Sequence, residues 1–498
     1  MEKMINPLSS PDASLEDASV CSSPLNRREL LHRSGSGLAG IALSHLLASE
    51  SCGSENNSLS TGASPRDQQP HHSPKVNSVI WLFMEGGPSH IDLFDPKPLL
   101  EKLDGQPIPS SFSLPVTSAT GSHRMPLVRS PRIWQQHGQS GLWVSEWYPK
   151  IAEHADDLAV IRSCWADGLN HVGSVRQMNT GSVLAGRPSL GAWVSYGLGA
   201  ANQNLPTFVC MTDDKVVRGG TTNWSSGFMP ANYQGTLLQR QGPPILDLSP
   251  PKSVSDHRQR GRLDFLKQLS QHHQSQRPND PHMEARIDAY ELAYRMQSTA
   301  PEAVDISQES QQTCDQYGLN SEATATFGRN CLMARRLVER GVRFVELYCG
   351  SGSGWDGHSG LEANHSKWCR ASDQPIAGLL TDLKARGLLD QTLVVWGGEF
   401  GRTPFSDTGA PGGKNYGRDH NPWGFTMWMA GGGIRGGQTI GSTDDIGFRA
   451  TESRHHVHDI HATILHLLGL NHRELTFVHN GRDERATVNG GHLIHQIV

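Results

Sequence analysis

Acids and histidines sit together at three places along this chain. The first is Glu85, with Asp92 a few residues on. The second is Asp356-Gly357-His358. The third is Glu399, followed by Asp419-His420. Each place follows or precedes a short apolar run that reads as a strand. A carboxylate at one strand end and a histidine just before the next strand is how open α/β sheets build sites, because ligands collect outside the carboxyl ends of strands. The chain has 25 histidines, crowded into the C-terminal half, and clustered histidine suggests metal, although exposed histidine is commonly just solvated. Arg402 stands three residues after Glu399. It could hold a sulfate or phosphate oxygen bidentately, or pair with Glu399, in which case His420 is a loop donor. His458 and His461 lie at i, i+3 on one helix face, where they either ligate or line a rim beside Asp459. Trp355, Trp396, Trp423 and Trp428 surround the same strand ends, as core or as sugar-stacking aromatics.

The elements that must position these residues are legible from apolar runs. Val79-Ile80-Trp81-Leu82-Phe83-Met84 and Leu393-Val394-Val395-Trp396 read as strands buried on both faces. About 20 residues of Gly-rich loop follow Glu399, then a strand from Phe425 to Ala430. Leu205 to Met211 and Val342 to Leu347 are further strands. Helices are expected from Ile151 running into a strand at Ile161, from Gly186 with Pro188 near its start, from Thr324 to Arg340, from Ile376 to Arg386, and from Val457 to Leu470, stopped by Gly469. The alternation predicts an α/β fold: a doubly wound, mostly parallel sheet with helices on both faces. Residues 212–310 are polar and Pro-rich, helical near Asp288 to Gln297, and read as an insertion or cap.

Before that domain, residues 1–50 read as a twin-arginine export signal, with Arg27-Arg28 ahead of a weak apolar run from Ser36 to Ala48. The alternative is a basic tail. The run is too short and Gly-rich to span a membrane. Residues 51–75 read as a disordered linker, and 76–490 as the folded domain. The reading is therefore an exported, periplasmic or extracellular protein. With 498 residues, 44 Lys+Arg against 49 Asp+Glu and a net charge of -5, the chain makes no case for nucleic acid. Its eight cysteines include no C-x-x-C pair, so a zinc ribbon is not expected.

Three motifs come in order: Glu399-Phe400-Gly401-Arg402-Thr403-Pro404, Gly417-Arg418-Asp419-His420-Asn421-Pro422 and Ala430-Gly431-Gly432-Gly433. Together they resemble the uncharacterised bacterial family known as domain of unknown function 1501, placed in the alkaline phosphatase/sulfatase superfamily. The resemblance runs from about Asn77 to Val488. It implies metal held through Asp and His, since carboxylate oxygen and imidazole nitrogen suit zinc and manganese, with calcium a third option. Two such metals activate a nucleophile and stabilise charge on a transferring phosphoryl or sulfuryl group. Carried over, the metal ligands are Glu85, Asp92, Asp356, His358, Glu399, Asp419 and His420. Glu399 stands where relatives have Asp, and Phe400 where they have His. The segment around Asn170 resembles the nucleophile-bearing segment of cofactor-independent phosphoglycerate mutases, which makes Ser174 and His171, with Arg402, the catalytic candidates. The activity implied is metal-assisted hydrolysis of a sulfate or phosphate ester, on a small molecule or a polysaccharide. The sulfatase signature Cys/Ser-x-Pro-x-Arg is absent near strand one, which disfavours a formylglycine sulfatase. The competing expectation is a non-catalytic member that binds an anionic or glycan ligand.

Overall fold

The structure is a computed structural model. It describes residues 69–498 apart from 113–125, 214–215, 240–243, 246–247, 252, 277–280, 409–414 and 489. The chain divides into residues 1–60 and 61–498, and every described residue falls in the second unit. The proposed export leader and most of the linker lie outside the described residues.

The centre is a nine-stranded sheet. Its strands are β1 (Ser78–Met84), β2 (Leu158–Trp165), β3 (Phe208–Met211), β4 (Thr236–Leu238), β5 (Phe344–Cys349), β6 (Thr392–Gly397), β9 (Phe425–Gly431), β10 (Gln438–Ile440) and β11 (His455–His456). Between β6 and β9, β7 (Gly401–Ser406) and β8 (Arg418–Asn421) form a separate hairpin. The sheet order is β10-β2-β9-β6-β1-β5-β3-β4, with β11 beside β2. β1 lies between β5 and β6, parallel to both. The exception is β9, antiparallel to β6 and to β2. The hairpin turns the chain back at the top of the sheet, so β9 needs no crossover helix.

Strand alternation divides the core into two. Ile80, Leu82 and Met84 point into one apolar cluster, while Val79, Trp81 and Phe83 point into the other. The first cluster is covered by α5 (Glu322–Glu339) and α6 (Leu361–Ala385). The second is covered by α1 (His171–Thr180), α2 (Leu190–Leu198) and α7 (Val457–Leu467). Helices on both faces of a largely parallel sheet explain why β1 is buried along its whole length.

Several boundaries differ from the sequence reading. Residues 151–157 are a short 3-10 helix, and β2 begins at Leu158. Helix α6 starts at Leu361, well before Ile376, with Pro375 inside it. Residues 212–310 contain two long helices, α3 (Asp256–Gln276) and α4 (Pro281–Val304), and also β4, which extends the sheet. The Gly-rich loop after Glu399 is largely the β7/β8 hairpin, which sets His420 opposite Arg402.

Candidate metal centre

The site lies where β1, β5 and β6 end. Helix α1 enters it with its first residue. Asn170 caps α1 by accepting the Gly173 amide at 3.0 Å, and Gly181, at φ 76°, ends the helix in the left-handed region that glycine tolerates. His171 is thereby fixed at the first helical position. The loop after β5 brings Asp356 and His358, and β8 brings His420.

Donor atoms of His171, Asp356, His358 and His420 all lie within 4.8 Å of one another, the one such group among the described residues. His358 Nε2 is 3.0 Å from His420 Nε2 and 3.1 Å from Asp356 Oδ1. His171 Nε2 is 3.0 Å from Asp356 Oδ2, and His420 Nε2 is 3.5 Å from Asp356 Oδ1. A tetrahedral zinc with bonds of about 2.0–2.1 Å sets its ligand atoms about 3.3 Å apart.

The outer nitrogens of the rings decide their protonation. His171 Nδ1 meets Glu399 Oε1 at 2.7 Å, His358 Nδ1 meets Asp407 Oδ2 at 2.8 Å, and His420 Nδ1 meets the Leu169 carbonyl at 2.9 Å. All three partners are oxygens that only accept. Each Nδ1 therefore carries its hydrogen, so a ring in its neutral form presents a bare Nε2 lone pair inward, and a ring protonated beside Asp356 presents an Nε2–H there instead. Two such lone pairs 3.0 Å apart repel unless a proton or a cation lies between them. Outer oxygen partners that fix tautomer and aim are the usual supports of metal-bound histidine. The donor set therefore fits a divalent ion.

Charge follows the same geometry. Burial works against ionised Asp356, but hydrogen bonds from His171, His358 and His420, with Arg402 beside it, hold its carboxyl well below the usual range. For His171, burial opposes protonation, and the two carboxylates it bridges overcome it and raise the ring to about 9. Burial lowers His420, while the Asp356 hydrogen bond raises His358. The centre opens on the His358 side, whose side chain is 36% exposed against 13% for His171 and His420.

The remaining sequence candidates lie outside the cluster. Glu399 is buried, accepts the Gly86 amide with both oxygens at 3.0 and 3.1 Å, and holds His171 from behind. Glu85 accepts the amides of Arg218, Gly352 and Ser353 at 2.7, 2.9 and 3.3 Å, so it ties loops together. Burial, with Glu399 nearby, pushes its carboxyl up to about 7 against those amides. Asp92 forms a buried ion pair with Arg418 at 2.9 Å and accepts from Ser89 Oγ at 2.5 Å. Asp419 lies 3.8 Å from His358 Nδ1, at the flank. Ser174 is buried one turn after His171 on α1, and its hydroxyl has no hydrogen-bond partner. His458 and His461 bond the Gly181 and Met178 carbonyls instead. Trp355, Trp396 and Trp428 are core, and Trp423 packs in a side cluster.

Arg402 takes neither expected role. It is fully buried and does not pair with Glu399. Nε donates to the Gly87 carbonyl at 2.8 Å, Nη1 to the Arg418 carbonyl at 3.1 Å, and Nη2 to the Gly86 carbonyl and to Asp356 Oδ1, the last at 2.8 Å. A guanidinium held on four sides is a fixed cation, not a free substrate arm. Phe400 walls the centre, its ring centroid 4.4 Å from that of His420 and 5.2 Å from that of His171. That packing requires glycine at 87, where φ is +73° and a Cβ would meet the phenyl ring at 2.5 Å.

A family model described as protein of unknown function (DUF1501) matches residues 76–498. The chain belongs to that family. No curated protein sequence matches this DUF1501 chain. Among solved structures it is similar to the alkaline phosphatase from the Antarctic bacterium TAB5, at 10% identity and a TM-score of 0.33, covering 81% of this chain and 100% of that one. It is similar also to the C-terminal periplasmic domain of EcEptC from Escherichia coli in complex with Zn, at 10% and 0.34, covering 80% and 84%. A third is the PsFucS1 sulfatase from Pseudoalteromonas sp., at 14% and 0.33, covering 91% and 75%. These belong to the alkaline phosphatase/sulfatase superfamily. Among the described residues no helix is long and apolar enough to cross a membrane.

Sequence reasoning missed Asp407 and the Leu169 carbonyl. Asp407 follows β7 directly, and its one signal was being an acid inside the Gly-rich stretch. A backbone carbonyl carries no signal in residue type.

Proposed function

We propose that this DUF1501 chain is a metal-dependent hydrolase of an anionic ester, sulfate or phosphate. The observation that carries the reading is three imidazoles whose Nδ1 atoms are committed to oxygen acceptors while their Nε2 atoms converge on Asp356. His171, Asp356, His358 and His420 would hold the ion, and the nitrogen-rich set favours zinc. An ion bound there supplies a Lewis acid and a water of lowered pKa. The chain's own residues do the rest. Glu399, Asp407 and Leu169 orient the rings. Arg402 neutralises the single carboxylate donor, which favours an anionic substrate over a neutral one. Phe400 excludes water from one side, and the exposed flank at His358 leaves room for an ester.

Because Ser174 is 1% exposed, the reading is direct attack by water rather than a covalent intermediate on that serine. The same fact favours a second reading, a non-catalytic member that binds an anion. A polysaccharide substrate loses the support of Trp355, Trp396 and Trp428, which are core. Export through Arg27-Arg28 belongs to the proposal as well.

Metal analysis of the purified full chain, paired with hydrolysis of p-nitrophenyl phosphate and p-nitrophenyl sulfate, tests the reading. Stoichiometric metal, with turnover lost on chelation and in Asp356→Ala and His420→Ala, supports hydrolysis. Bound metal without turnover leaves the binding reading. A metal-free protein indifferent to chelators removes both the centre and the chemistry.

A further inference from the structure

Helix α3 (Asp256–Gln276) is built the wrong way round for a helix packed on a core. Its contacts to α4 are polar. Arg260 pairs with Glu291 of α4 at 2.6 Å and, along its own helix, with Asp264 at 2.8 Å; its guanidinium carbon lies 5.1 Å from the Tyr294 ring centroid, and Tyr294 donates to Asp256 at 2.8 Å. None of its described residues joins an apolar cluster. Three of its apolar residues point away from the protein, while Leu263 is half-buried. Phe265 is 63% exposed, Leu269 55% and Leu266 41%.

At 3.6 residues per turn, Phe265, Leu266 and Leu269 share an arc of about 100° with Arg258 and Arg262. Both arginines are exposed. Of the two acids of the helix, Asp256 accepts from Tyr294 of α4, and Asp264 pairs with Arg260 along α3 itself. The outward face therefore mixes one aromatic, two leucines and two guanidinium groups, with no carboxylate.

From this face we infer that α3 docks on an anionic phospholipid surface. Apolar side chains at one to two turns, flanked by arginines whose stems reach along the boundary, are what an interfacial helix presents to a bilayer. Each arginine near an anionic surface adds about fivefold to binding. A second copy fits less well, because a two-fold interface would set two patches against each other, each carrying Arg258 and Arg262 and neither carrying a carboxylate to pair them. The face is a convex helix flank rather than a groove, so it meets a flat surface without remodelling. This inference stands independently of the metal centre.

Co-sedimentation of the full chain with vesicles tests it. One set is phosphatidylcholine alone, the other an equal mixture of phosphatidylcholine and phosphatidylglycerol. Binding is expected on the mixed vesicles only, weakened by salt, and reduced about tenfold or more in Phe265→Glu/Leu269→Glu and in Arg258→Glu/Arg262→Glu. These positions are exposed, so the variants keep the wild-type melting temperature, and a thermal melt confirms it. Failure to bind the mixed vesicles overturns the inference, as does binding that both double variants retain. Self-association in light scattering that Phe265→Glu/Leu269→Glu abolishes, without vesicle binding, replaces the lipid surface with a second copy.

Discussion

Replacing Glu399 with glutamine separates a metal centre from a mere cluster of polar residues. In the native chain Glu399 is fully buried and accepts three contacts, two from the Gly86 amide and one from His171 Nδ1 at 2.7 Å. Glutamine keeps the shape and one acceptor oxygen. The other position becomes an NH2 group that must face either the Gly86 amide or His171, both donors. The ring of His171 is then less basic at Nε2 and less firmly aimed. Losing such an outer partner lowers metal affinity about 10- to 100-fold, or about 1.4–2.7 kcal/mol. Asp407→Asn should act the same way through His358, and because both rings meet Asp356 and face one ion, the double variant should depart from the sum of the two single effects. The assay is competition between each variant and a chromophoric chelator for zinc, with thermal melts of the metal-free proteins as the control for folding. Unchanged zinc affinity in both variants, with folding intact, would refute the argument that outer oxygens hold the rings toward an ion.

Further substitutions test the same geometry. Glu85→Gln and Asp92→Asn should keep their zinc while losing stability in urea titrations, because these acids bind backbone amides and Arg418 rather than the cluster; zinc loss in either would return it to the ligand set. Arg402→Met should cost about 3–5 kcal/mol by the same titration, since it leaves Asp356 and three carbonyls without their buried cation; a loss below about 1 kcal/mol would contradict the fixed-cation account. Glu346 is buried on β5, and burial pushes its carboxyl up to about 8. The folded chain holds that proton while the unfolded chain releases it above its ordinary range near 4.5, so native stability falls as pH rises between those values. Glu346→Gln should therefore gain on the wild type by up to about 1.4 kcal/mol per pH unit across that window, read from urea midpoints at pH 5 through 8, and a pH-independent difference would count against a buried neutral acid.

The strands of the sheet centre were legible because β1, β5 and β6 are unbroken apolar runs, which only burial on both faces explains. Asp356, His358 and His420 were legible because residue type and strand-end position agreed. Acids behave differently. Nothing in its type tells whether a carboxylate at a strand end will meet metal or backbone amides, so Glu85 and Asp92 read the same as Asp356 until the loops are folded around them. Arg402 opposite His420 depends on a hairpin that glycines disguise as loop. Of the two long helices in residues 212–310, α4 was legible near Asp288 to Gln297, but α3 was hidden for a related reason. Periodicity is sought as an apolar stripe facing a core, and α3 turns its stripe outward.

The inner donors come from three stretches that are far apart along the chain: the start of α1, the loop after β5, and the β7/β8 hairpin. A single ion gripped by all three would work as a removable crosslink among distant segments. Its grip would be all-or-none with respect to the tertiary structure, since fraying any one stretch breaks the grasp. Zinc occupancy would then double as a built-in gauge of whether the sheet has closed, and the zinc-bound form would melt later by an amount set by free zinc concentration over its dissociation constant.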